Sequence, residues 1–370
     1  MTIPAQIVAE RDRLKSWLLD QALPIWWAPG ADLEHGGFHD RLDASGRSLP
    51  GPKRARVAAR QAYSYAVGGA FGWDGPWREA VDQGLTFLEQ AHRRPDGLYR
   101  GRVDPAAPSD AVDLYDQAFV LLAHSIAAGR GDTDAPGRAQ ALLARLPREP
   151  AGGFAGLDGA GLDANPNMHL FEAFLAWVAR GAGELWRDAA AGQARLVMTR
   201  LIDPETGAQS ELFGPCWTAP PKPERGVWPG HEFEWAWLLM RWNLVSGDAA
   251  ALAAALRLVE LAERAGVDPD RNVAVNCLDG DLVLTDPGTR LWPQTERLRV
   301  AALAGALTGD ASFWDMAAKA AAGLWLFLDV PTPGLWRDSL ESDDLTAPAS
   351  SLYHIVGAIL QLDRVAEGRL

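Results

Sequence analysis

His169, His231 and His354 each stand just inside the start of an apolar segment, beside loop residues. Histidine is the side chain whose ordinary pKa lies near neutrality, so such a group can take and return a proton without a large shift. Carboxylates accompany them: Glu172 and Glu234 three residues after His169 and His231, and Glu296 in WPQTER. At one turn's distance, Glu234 is expected to orient the His231 imidazole and stabilise its protonated form. Arg60, in ARQAYSYA, offers positive charge, and Asp116 and Gln117, in DLYDQAF, add a carboxyl and an amide. The chemistry available to this set is proton transfer, with a cation to hold a developing oxyanion.

The other four histidines read differently. His92, in HRRPDG, is expected at an outer helix end as a cation favouring the dipole. His124 lies deep in its segment and reads as packing. His35 and His39 have the spacing of a metal pair, but EHGGFHD is broken by glycine and shows no third ligand, so no metal is expected.

Positioning falls to helices. Apolar residues recur with helical spacing around 3–23, 54–70, 75–93, 110–129, 134–146, 166–181, 184–200, 230–246, 249–266, 290–308, 311–327 and 347–366. Alternate members start near 54, 110, 166, 230, 290 and 347, each preceded by a Gly- and aromatic-rich loop. These are apolar nearly all round, whereas their partners carry charge on one face. Six inner and six outer helices predict an all-α (α/α)6 barrel, with short hairpins and loops gathered at one mouth. Residues 1–370 are read as one such catalytic domain. The polar exceptions fall in the first two turns of the inner helices, so they should form a ring at the mouth, where helix N-termini converge.

Composition removes other classes. Lys+Arg 35 against Asp+Glu 48 gives a net charge of −13, without the basic face of a nucleic-acid binder. No apolar run is long enough to span a membrane, and the charged first twenty residues do not read as a signal peptide. Cys216 and Cys277 make no disulfide framework, so a cytoplasmic setting is expected. No nucleotide-binding glycine motif is present, and no cofactor is expected. The oligomer allowed for is a homodimer. Sixteen tryptophans against five tyrosines, many in loops, suit a sugar-binding cleft.

NPNMHLFEAFLAW, PGHEFEWAWLL, WPQTER and SSLYHIVGAI, in this order, resemble the N-acylglucosamine 2-epimerase superfamily, which includes cellobiose 2-epimerases and mannose-type aldose–ketose isomerases. The resemblance runs from GGFHDRLD to SSLYHIVG and implies an (α/α)6 barrel. It implies that His231 and His354 are the general acid/base pair and that His169 contacts the sugar near its reacting carbons. Glu234 and Glu296 match the family carboxylates, and Arg60 the arginine that binds substrate oxygens. The family arginine before PGH has no positional match in PKPERGVWPGH; Arg225 or Lys222 is expected to replace it, with Trp228 narrowing the mouth. If the substrate carries phosphate, Arg60, Arg225, Lys222 and Arg297 are the candidate cations.

The expected function is therefore aldose–ketose isomerisation of mannose or mannose 6-phosphate through an enediolate. A 2-epimerase acting on an N-acylglucosamine or other sugar is the alternative on the same site. A glycoside hydrolase using a carboxylate pair from Asp116, Glu172 and Glu296 is the alternative of another class.

Overall fold

The computed structural model of the chain describes residues 3–159 and 161–370. Six helices form a closed inner ring: α3 (Ala55–Ala70), α5 (Leu114–Gly129), α7 (Ala164–Ala179), α9 (Pro229–Ser246), α11 (Leu291–Thr308) and α13 (Ser351–Ala366). Each packs on the next, and α13 returns to α3. Against them, from outside, lie α4 (Trp77–Phe87), α6 (Ala135–Leu143), α8 (Glu184–Leu196), α10 (Ala249–Ala265), α12 (Ala311–Leu328) and α1 (Ala5–Trp17). A π-helical turn, Leu18–Ala22, carries α1 on into α2 (Leu23–Trp27), completing the sixth outer element. The expected (α/α)6 barrel is what the chain forms. No helix among the described residues is long and apolar enough to cross a membrane.

Local chemistry fixes the helix ends. Asp113, Asp163, Asp248 and Asp310 each accept a first-turn backbone N–H at the starts of α5, α7, α10 and α12. Gly247 and Gly309 take left-handed conformations after α9 and α11 (φ 76° and 73°), which stops those helices at low steric cost. The inner helices are buried almost throughout, as their apolar composition requires.

Short antiparallel pairs tie the loops together above the inner N-termini. They are β1 (Arg41–Leu42) with β9 (Ala347–Pro348), β2 (Lys53–Arg54) with β3 (Arg102–Val103), and β4 (Leu162–Asp163) with β5 (Leu212–Phe213). A three-stranded set follows: β6 (Val267–Asp268), β7 (Val273–Leu278) and β8 (Leu284–Thr289). The β6–β7–β8 set and the single bridges Ala31–Phe38, Arg93–Tyr99, Arg148–Phe154 and Ile202–Gln209 are the local hairpins expected at the mouth, whereas the two-stranded pairs join loops distant in sequence.

The loops are fastened by one recurring device. In three of the six inner helices, α5, α7 and α11, the fourth residue is a buried amide that grips the backbone of one loop residue with both its atoms. Gln117 accepts from Tyr99 N (2.9 Å) and donates to Tyr99 O (2.8 Å). Asn167 does the same with Phe154 (2.9 Å and 2.9 Å). Gln294 does so with Ala274 (2.8 Å and 3.0 Å). Each amide also donates to the carbonyl at its own helix start: Asp113, Asp163 and Arg290 respectively. Gln117 is therefore a loop clamp, not the substrate contact expected from sequence.

Because such a clamp satisfies two buried backbone groups, Gln294→Ala should lower unfolding stability by about 1–3 kcal/mol. Chemical denaturation reads the effect; an unchanged midpoint would show that the Ala274 loop is held by other means.

Candidate active site

A polar cavity of about 350 Å³ opens at the mouth, lined by Arg60, His169, Trp228, His231, Glu234 and His354 among others. All six were expected there. A larger cavity, about 540 Å³, lies outside the ring between α4, α5 and α6, and of the histidines only His124 reaches it. His124 is buried against Tyr99, as a packing residue should be. His92 differs from expectation. It is fully buried, its Nδ1 lies 2.7 Å from the Arg100 carbonyl, and burial pulls its pKa down to about 4. It is thus a neutral loop anchor, not a cation at a helix end. His35 and His39 both approach Asp32, whose carboxylate is held by Lys53 at 2.6 Å.

Helical spacing arranges the lumen in layers. The sixth residues of α3, α7, α9 and α11 are Arg60, His169, Glu234 and Glu296; three residues deeper come Tyr63, Glu172, Trp237 and Arg299. Arg299 is the cation of the second layer. It donates to Glu172 Oε1 (3.2 Å) and Glu296 Oε2 (3.3 Å), and its guanidinium lies 3.3 Å from the Trp237 ring centroid. Burial alone would raise the Glu172 pKa, but bonds to His169 and the charge of Arg299 bring it down to about 2. Glu296 is likewise lowered against its burial, by Arg299 and His354.

Each mouth histidine turns Nδ1 to a glutamate. His354 meets Glu296 at 2.8 Å and His231 meets Glu211 at 2.8 Å, while His169 faces Glu172 (3.4 Å) and Glu234 (3.6 Å). Their Nε2 atoms make no hydrogen bond to the described residues. Burial lowers the pKa of His169 to about 4 and also lowers that of His354. Glu234 is raised well above the carboxylate range, first by burial and then by the charges of Glu296 and Glu172. It lines the cavity wall, where burial favours its neutral form, and neither oxygen makes a hydrogen bond to the described residues.

Glu234 does not orient His231, because it projects into the lumen toward His169. The partner is Glu211, beside β5 on a different loop. Its signal was an acid in the alternating stretch DPETGAQSELF, but spacing along the chain could not reveal which histidine the loop returns to.

Arg60 is held beneath the cavity. Its Nη1 donates to Ser350 O (3.2 Å), its Nη2 to Tyr115 Oη (2.7 Å), and Phe119 lies below it at 4.2 Å. No carboxylate among the described residues pairs with it, so its charge is available to an oxyanion. Trp228 stacks on His231 (5.0 Å between centroids, 26°), and Trp292 lies beside both His231 and His354 (4.9 and 5.8 Å). Gly230 makes room for that ring: a Cβ there would come within 2.5 Å of Trp292.

Several other expected positions lie elsewhere. Asp116 sits behind the wall, accepting from the Arg56 backbone (3.0 Å) and guanidinium (3.2 Å). Glu172 and Glu296 are bound to Arg299 and do not line the cavity. Arg225 is tied to Asp203 and the Pro220 carbonyl, and Lys222 to Glu205 and Asp281. Arg297 faces outward to Glu263 (2.7 Å) because its helix position points at α10. Arg56 and Arg290 are the additional cations at the mouth, with Tyr115, Asp163, Asn165, Trp292 and Ser351; sequence reading did not select them.

The fold also assembles what the sequence did not display, two groups of potential metal ligands: His169, Glu172 and Glu234, and Glu234, Glu296 and His354. In each, one glutamate, Glu172 or Glu296, is already engaged by Arg299, which supplies positive charge there.

The family model for N-acylglucosamine 2-epimerase (GlcNAc 2-epimerase) matches residues 36–358. A mannose-6-phosphate isomerase of Rhizobium meliloti (strain 1021) is 42% identical, over 95% of this chain and 96% of its own. A D-mannose isomerase of Thermobifida fusca is 27% identical, over 88% of this chain and 87% of its own. The fold matches that of the cellobiose 2-epimerase from Spirochaeta thermophila with a TM-score of 0.87 at 21% identity, covering 100% of this chain and 99% of that one. With the barrel, the mouth histidines and these likenesses together, the chain belongs to the N-acylglucosamine 2-epimerase family and is a sugar isomerase or 2-epimerase.

Proposed function

We propose that this protein is an aldose–ketose isomerase acting on mannose or mannose 6-phosphate, with His231 and His354 as the general acid/base pair and residues 1–370 as one catalytic domain. The observation that carries this reading is the pair of glutamate-backed imidazoles, each leaving Nε2 toward a cavity that also holds Arg60. Two named relatives act on mannose or its 6-phosphate, which supports the choice of sugar.

The chemistry follows from the residues. Ring opening takes the O1 proton and returns one to O5, giving the free aldehyde; His169, neutral at working pH, and protonated Glu234 offer hydrogen bonds to these oxygens. One of His231 and His354 then removes the C2 proton. The C–H electrons form the C1–C2 double bond, and O1 becomes the enediolate oxygen beside Arg60. Transfer of the O2 proton to O1 and return of the abstracted proton to C1, with the O2 lone pair closing the C2 carbonyl as the C1–C2 double bond takes up the proton, gives the ketose. Delivery by the second imidazole to the opposite face of C2 would give the epimer.

Isomerisation is favoured because Trp228 stacks on the His231 ring and Trp292 packs beside both histidines, so an acylamino group at C2 would have to fit against these rings. For a phosphorylated sugar, Arg60 is the one of the four expected cations that lines the cavity; Arg56 and Arg290 take the places expected for the others. The hydrolase reading loses its carboxylate pair, since Asp116, Glu172 and Glu296 are all bonded to arginines away from the cavity.

A sugar panel followed by NMR in deuterium oxide, after dialysis against a strong chelator, tests substrate and metal independence together. Mannose or its 6-phosphate should give the fructose form with solvent deuterium, at the undialysed rate. Rapid conversion of N-acetylmannosamine with negligible fructose would favour epimerisation instead, and rate loss restored by a divalent ion would assign the glutamate clusters to a metal.

Glu211 acts through His231, so Glu211→Gln and His231→Ala should both lower kcat by about 10²-fold or more. The Gln variant should keep wild-type melting behaviour and KM within a few-fold. If Glu211→Gln turned over at the wild-type rate, the dyad would have no part in catalysis.

A further inference from the structure

The clamp position of α9 holds Glu232, where α5, α7 and α11 hold Gln117, Asn167 and Gln294. Its Oε1 accepts from Gln209 N at 2.8 Å, reproducing one half of the sister clamps. Its Oε2 is buried and has no partner that can donate to it. In the sister clamps the corresponding atom is an amide nitrogen, donating to the loop carbonyl and to the carbonyl four residues back. For Glu232 those acceptors would be Gln209 O and Trp228 O. A carboxylate oxygen directed at carbonyl oxygens in a fully buried place would be repelled, whereas a carboxylic acid O–H could donate.

We propose that Glu232 is held as a neutral carboxylic acid, an isostere of the amide in the sister helices, and that its proton completes the clamp on Gln209. Gln209 stands two residues before Glu211, so the clamp fixes the loop segment, leading into β5, that presents the His231 partner. Glu232 is a positioning residue and touches no substrate. The inference does not depend on which sugar is used.

The surroundings agree with a neutral group. Burial, with the charge of Glu211, pushes the Glu232 pKa well above the carboxylate range, and the Gln209 N–H opposes this only in part. Glu211 is the ionisable group bearing on it from the loop. The segment is otherwise flanked by the uncharged cluster of Ala208, Val227, Leu261, Val275 and Leu278.

The sign of the pH dependence is fixed by this assignment. A carboxyl with a raised folded pKa contributes stability that is full below its unfolded value, about pH 4.3, and is lost as pH rises through the folded value. Glutamine cannot titrate. The melting temperature of Glu232→Gln minus that of wild type should therefore increase by several degrees from about pH 5 to about pH 9. Glu232→Ala should lower kcat by about 10-fold or more through displacement of Glu211, with KM nearly unchanged, and Glu232→Gln should restore most of that loss.

Thermal melts across pH on wild type and both variants, with kcat and KM, decide the matter. A rising Gln-minus-wild-type difference together with rescue of kcat supports the assignment. A difference that is flat or falls with pH would show Glu232 ionised inside the fold. A Gln variant as impaired as Ala, or one that fails to fold where three sister helices carry amides, would equally overturn it. The melts are independent of substrate, so they stand if the sugar assignment fails.

Discussion

The site depends on one guanidinium. Arg299 lies buried in the lumen beneath the cavity, stacked on Trp237 and shared between Glu172 and Glu296. Taking a charge of this kind out of water costs several kcal/mol unless paired and hydrogen-bonded, and removing one partner leaves the others uncompensated. Here the arrangement also does chemistry by proxy. Each carboxylate that Arg299 keeps ionised turns its other oxygen to a histidine, so one cation sets the orientation of two imidazoles contributed by different helices. Glu234, which Arg299 does not reach by hydrogen bond, is shifted the opposite way within the same few ångströms. The lumen thus sets carboxyls pulled down and pushed up side by side, and their bonding partners decide the direction.

The second imidazole–glutamate pair is built differently. Glu211 comes from a loop, not from an inner helix, and among the described residues no arginine bonds to it. Its place is set by the β4–β5 pair and by Glu232 gripping Gln209. One catalytic candidate therefore rests on the rigid ring and the other on a fastened loop. The rim of tryptophans bridges the two: Trp228 precedes α9, Trp292 opens α11, and both pack on His231.

How far the sequence reveals this follows from the range of each interaction. Helical periodicity and loop spacing are local, so the twelve-element barrel and its boundaries could be read directly. The mouth histidines, Arg60, Glu234 and Trp228 were legible too, because an inner helix has only one end near the loops. Pairings across the lumen were not. Arg299 follows Glu296 by three residues and would pass for part of the same polar turn, yet its importance comes from Glu172 on α7. Arg297 looked equally suitable two residues earlier, but that shift carries it to the opposite helix face, against Glu263. Asp116 and Gln117 are non-random buried polar groups, but they serve the scaffold and not the substrate: their partners are Arg56, 60 residues away on α3, and the Tyr99 backbone, 18 residues away on the preceding loop. His92 misled for the same reason: its partner is a carbonyl across a hairpin.

That glutamates hold Nδ1 so that Nε2 faces the cavity is the claim on which the chemistry rests. It is tested most directly by 15N NMR of the protein labelled at its histidine rings, with His231 and His354 assigned by substitution. The arrangement requires both rings, when neutral, to carry the proton on Nδ1, with Nε2 unprotonated and shifting when sugar is added. Protonation at Nε2 in the resting neutral rings would contradict it, because the nitrogen facing the substrate could then not act as the base.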